Sequence, residues 1–122
     1  MSVSGAASWP DVDEVTALLA AVRGVLDVAL ERCDPGSAAA LEICAAWEGL
    51  DAVAATSVAP ATLQPELTPL AVVPTARRLV REAIIRVEPL SAALLLAEAL
   101  RHLDTAARIL AAEEIGEAPP WA

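Results

Sequence analysis

Proline placement constrains this chain more than any other feature. Its nine prolines fall at positions 10, 35, 60, 65, 69, 74, 89, 119 and 120. A proline fixes φ and lacks the N–H that an interior helical residue donates, so it opens a helix readily and interrupts one elsewhere. Long proline-free stretches remain on either side of a proline-marked interval. Each carries an aliphatic repeat at helical spacing.

In the first stretch, Val15, Leu18, Leu19, Val22, Val25, Leu26, Ala29, Leu30 and Cys33 share one side at about 100° per residue. Asp13, Thr16, Arg23, Asp27 and Glu31 fall opposite. Asp11 followed three residues later by Glu14 makes a capping-box pattern, with Trp9 or Pro10 placed to staple against Val15. Ala17, Ala21, Gly24 and Val28 form a second, narrow stripe of small residues, which predicts two neighbours for this helix. The second helix is expected to open at Asp34-Pro35 and run to about Thr56, with Ile43, Trp47, Leu50 and Ala54 inward. Leu41, Ala45 and Ala52 face away from that side.

A third helix is expected over about Thr75 to Val87, with Ala76, Val80, Ala83, Ile84 and Val87 on one face. The fourth opens at Pro89, runs to about Ile115 and closes at Gly116. Its inward arc is Leu96, Ala99, Leu100, Leu103, Ala106, Ala107 and Leu110. Between the second and third helices lies "VAPATLQPELTPLAVVP", whose closely spaced prolines favour extended or turn backbone. The expected fold is all-α: a four-helix bundle of two antiparallel hairpins joined by a Pro-rich crossover over residues 58–73. Residues 1–10 read as a disordered lead-in, 11–116 as one helical domain and 117–122 as a tail.

Composition narrows the function classes. Hydrophobic residues make up 57% of the chain, above the roughly 45–50% of ordinary soluble domains, and much of the excess is alanine. With three Trp and no Phe or Tyr, the core is expected to consist of Leu, Val, Ile and Ala in closely spaced helices. The net charge of −9 excludes general nucleic-acid binding, which needs a basic surface to displace counterions. The absence of Lys, Asn, Phe and Tyr, residues with AT-rich codons, points to a GC-rich bacterial gene. No basic leader precedes an apolar run, and no stretch reaches the ~18 apolar residues of a membrane span. Cytoplasmic placement is the expectation.

Catalytic signals are sparse. His102 is the single histidine, with Glu98 one turn before it and Asp104 pointing nearly the opposite way. Glu98, His102 and Cys44 are the weak catalytic candidates. Glu-x-x-x-His is not the Glu-x-x-His spacing of di-metal bundles, and the inward positions elsewhere are aliphatic, so no metal and no cofactor are expected. Cys33 and Cys44 are too few and too far apart for a zinc finger or a CxxC redox motif. No Gly-rich phosphate loop and no Gly-x-Ser-x-Gly elbow occurs.

Charge placement is more informative. Residues 1–73 hold ten acids against two arginines, whereas 74–87 hold Arg77, Arg78, Arg81 and Arg86 against the single Glu82. Arg77, Arg78 and Arg81 with Ile85 among them are the candidate site for an anion or acidic protein partner, because guanidinium groups present planar donor forks to carboxylate. Trp121, behind two prolines, is a candidate anchor. The expected function is a small non-catalytic interaction, adaptor or regulatory protein that self-associates, as a homodimer. The alternatives are a bundle that binds an apolar small molecule, and a small enzyme using His102 and Glu98.

Overall fold

The computed structural model describes residues 10–53, 67–88 and 90–114, with side chains from Glu14 onward. Among these residues there are four helices and no strands: α1 (Pro10–Arg32), α2 (Ala38–Val53), α3 (Pro69–Arg86) and α4 (Leu90–Glu114). The expectations for residues 1–9 of the lead-in, for Trp9, for most of the crossover, for Ala54, Pro89 and Gly116, and for the tail with Trp121 lie outside the described residues. Asp11, expected to cap α1, instead lies inside it, one residue after its start at Pro10.

The helices form because their aliphatic stripes meet. Leu19, Val22, Leu26 and Ala29 of α1, Ile43, Ala46 and Leu50 of α2, Val72, Val73, Ala76 and Val80 of α3, and Leu96, Leu103 and Ala106 of α4 close into one buried cluster. α1 packs on α3 and more lightly on α2, while α4 packs on both α2 and α3. This pattern is compatible with a bundle. Arg32 ties the end of α1 to the approach to α3 by donating to the Leu67 carbonyl at 2.8 Å.

Three further features differ from the sequence expectation. α2 opens at Ala38, not at Asp34-Pro35. Gly36, at φ 77°, turns the chain where an L side chain would be strained. Ser37 then caps the helix, its hydroxyl accepting from the Ala40 N–H at 3.2 Å.

α3 opens at Pro69 instead of Thr75, so residues 69–73 belong to a helix and not to the crossover. Thr68 is its N-cap, accepting from the Ala71 N–H at 3.3 Å, and Pro69 occupies the first turn, where a missing N–H removes nothing. Pro74 sits inside this helix. The bond it cannot make to the Leu70 carbonyl is offset by burial of Val72 and Val73 immediately before it.

The third difference concerns α1. Arg23 was expected on the solvent side, yet it is 3% exposed. Residues 22–26 are all buried, because α1 has neighbours on two sides. The small-residue stripe pointed to this arrangement: Gly24 is buried, Ala21 and Val28 are half-buried, and only Ala17 is exposed.

Candidate functional site

His102 lies on α4 and reaches across to α2. Its Nδ1 is 2.7 Å from Glu42 Oε1, and its Nε2 is 3.8 Å from Glu98 Oε2. A carboxylate only accepts, so the short contact places a proton on Nδ1. Glu98 also pairs with Arg101 one turn on. The histidine is half-buried, at the margin of the α2–α4 contact.

This arrangement orients an imidazole, but both ring nitrogens face carboxylates of the protein itself. Cys44 is not brought to it: that thiol is exposed and borders a groove between α1 and α2. Among the described residues no group of three His, Cys, Asp or Glu side chains could hold a metal ion. Glu98 and His102 therefore meet, Cys44 stands apart, and Glu42 is a partner that same-helix spacing could not show.

Cys33 sits at one end of the molecule. It borders a cavity of about 360 Å³ between the α1–α2 turn, the start of α3 and the end of α4, alongside Asp34, Thr68, Leu110 and Glu113. Burial, then the neighbouring charges of Glu113 and Asp34, push its thiol above the usual range. A thiol held protonated is a poor nucleophile at neutral pH.

The arginine helix divides into two groups. Arg77 and Arg86 are engaged within the molecule, Arg77 Nε lying 2.7 Å from Asp104 on α4 and Arg86 donating to Glu14 of α1 at 2.7 Å. Arg78 and Arg81 are exposed, and neither is ion-paired with a described residue. At spacings of three and four residues they adjoin Ile85 on the outward side of α3. Ile85 is 82% exposed, the most exposed of the large apolar side chains described. Leu41, Leu90 and Leu94 are exposed on other helices.

The groove between α1 and α2 has the opposite character. It holds about 330 Å³ and is lined by Asp27 and Leu30 from α1 and by Cys44, Trp47 and Glu48 from α2. Leu30 and Trp47 are half-buried, whereas Asp27 and Glu48 are exposed. Neither carboxylate is ion-paired with a described residue.

No described helix is long and apolar enough to cross a membrane. Comparison with family models, with curated proteins and with solved structures finds no match for this chain. Its own surfaces carry the functional reading.

Proposed function

We propose that this chain is a small, non-catalytic, cytoplasmic interaction protein: an adaptor or regulatory partner that self-associates and docks acidic segments on the outward face of α3. The observation that carries the reading is Ile85, 82% exposed, flanked by Arg78 and Arg81 without ion pairs to described residues. An apolar anchor beside guanidinium groups has the composition of an interface centre. Arg77 belongs to the same helix but serves the α3–α4 contact, so the docking face is narrower than the arginine run.

The reading includes the finer architecture of two antiparallel hairpins. It is supported by the order of the cross-helix pairs. Arg23 pairs with Asp51, and Asp27 and Leu30 share a groove with Trp47 and Cys44, so positions descend along α2 as they ascend along α1. Arg77 faces Asp104 across the short link between α3 and α4. α2 would then end beside the middle of α1, and α3 would begin near the end of α1, where Arg32 meets Leu67.

The test is fluorescence anisotropy with a labelled amphipathic peptide of glutamate and leucine as the probe, at low and high salt. The wild-type chain is expected to bind it, and R78E/R81E to bind at least about tenfold more weakly. Equal binding by the two proteins would remove the docking face from consideration.

A further inference from the structure

We infer that the partner of the α3 face is a second copy of this chain, its Arg78–Arg81–Ile85 projection seating in the acidic groove between α1 and α2. This rests on the docking reading above and goes beyond it by naming the occupant and the surface that receives it.

The two surfaces complement one another in shape and charge. One is convex: an isoleucine standing clear of α3, with cations one and two turns before it. The other is concave, with Leu30 and Trp47 as a half-buried apolar floor and Asp27 and Glu48 as exposed carboxylates at its sides. Isoleucine on that floor removes apolar surface from water. Each guanidinium then meets a carboxylate that lacks an ion-pair partner among the described residues.

Why the groove stays open follows from the packing. α1 is drawn towards α3 and α2 towards α4, and the α1–α2 contact is the lightest of the substantial helix contacts. Below the groove, Arg23 and Asp51 cross between these helices; beyond Leu30 the turn through Gly36 joins them. Leu30 and Trp47 remain between those two ties, incompletely covered.

Because the projection and the groove are different surfaces on different helices, copies join either reciprocally, each projection in the other's groove, or head to tail. Two copies joined once still expose one projection and one groove. Reciprocal seating closes at the dimer, whereas head-to-tail association continues past the pair until a ring is complete.

Sedimentation velocity over a range of concentrations tests this, using the wild type, R78E/R81E, D27R/E48R and an equimolar mixture of the two variants. All four substituted positions are exposed, so the fold is expected to survive, and circular dichroism of each variant checks it. The wild-type mass is expected to climb with concentration and to fall at high salt. Each variant alone is expected to remain monomeric, since like charges then face one another, and the mixture is expected to associate again. I85S keeps the charges and is expected to weaken association about tenfold.

A wild type that stays monomeric while still binding the acidic peptide would overturn this inference and leave the docking reading standing. A monomer that binds no peptide would remove both. Variants that associate like the wild type, or a mixture that does not recover association, would equally rule out this pairing of surfaces.

Discussion

A β-carbon placed on Gly49 would lie 3.4 Å from the Ala99 β-carbon and 3.6 Å from the Leu95 carbonyl oxygen. Here α2 and α4 approach as closely as small residues allow, within the most extensive helix contact of the molecule. Gly49→Ala is expected to be close to neutral. Alanine gains up to ~1 kcal/mol in helix propensity, against the displacement needed to relieve one tight contact. Gly49→Leu cannot be accommodated without separating the helices, and is expected to cost ~1–3 kcal/mol. Urea denaturation of the three proteins checks the order. A Gly49→Leu midpoint equal to wild type would mean that the helices are free to move apart.

Arg23 is held between α1 and α2 with its guanidinium on Asp51, which remains half exposed. The carboxylate keeps access to water, so most of what Arg23 contributes is expected to come from its buried aliphatic stem. Arg23→Ala is expected to destabilise by ~2–4 kcal/mol, in the range of buried large-to-small changes. Arg23→Met, which keeps much of the stem and removes the charge, is expected to recover at least ~1 kcal/mol of that. Equal losses in chemical denaturation would place the contribution in the ion pair instead.

The same residue shows what the sequence could convey. Four aliphatic stripes were legible, and Ile43, Leu50, Val80, Leu96 and Leu103 are buried as their spacing demanded. A single-stripe projection sends a lone cation on α1 to solvent. That projection fails where a helix has neighbours on two sides, although the Gly24 stripe hinted at the second neighbour. Glu42 was hidden for a related reason. Its pairing with His102 depends on which helices adjoin, whereas Glu98 was visible because it shares His102's helix. In the arginine helix the spacing identified Ile85 and its flanking cations, but the engagement of Arg77 by Asp104 appears only when α3 lies on α4.

The early start of α3 follows from a conflict between two local signals. Thr68-Pro69 is a good helix opening, while Pro74 reads as a breaker, and burial of Val72 and Val73 decides between them. Pro74→Ala restores a donor to the Leu70 carbonyl and removes a ring clash. Proline's smaller unfolded-state entropy partly opposes that gain, so the expected net stabilisation is ~1–2 kcal/mol. Thr68→Ala is expected to cost ~1 kcal/mol through loss of the cap. Thermal unfolding of both variants reads the two effects separately. A destabilised Pro74→Ala would mean that the proline bend is needed to seat Val72 and Val73.

Cys33 offers a pH-dependent readout. Its thiol is pushed above the ordinary range by burial first, then by Glu113 and Asp34. Folding therefore favours the protonated form. The resulting stability is present at neutral pH and is lost as pH rises through the folded value. In a Cys44→Ser background, iodoacetamide is expected to label Cys33 more slowly in the native protein than in urea. The native rate should keep rising at pH values where the urea rate has levelled off. Glu113→Gln is expected to speed native labelling modestly, since burial remains. Native labelling as fast as in urea at neutral pH would show that the thiol is neither buried nor charge-suppressed.

The link between His102 and Glu42 is a structural tie of α4 to α2, and its worth is measurable. A hydrogen bond to a charged group contributes ~1.5–3 kcal/mol when sheltered. Both side chains are about one-third exposed, which screens the interaction and lowers the expected coupling to ~0.5–1 kcal/mol. A double-mutant cycle of Glu42→Gln and His102→Gln, followed by urea denaturation, isolates that coupling from each side chain's separate packing. Glu98→Gln in the same background tests whether the second carboxylate adds to it; at 3.8 Å from Nε2 and already engaged by Arg101, it is expected to add less than Glu42. A coupling of zero would mean that the two helices are held by their aliphatic contact alone, with His102 contributing nothing to their register.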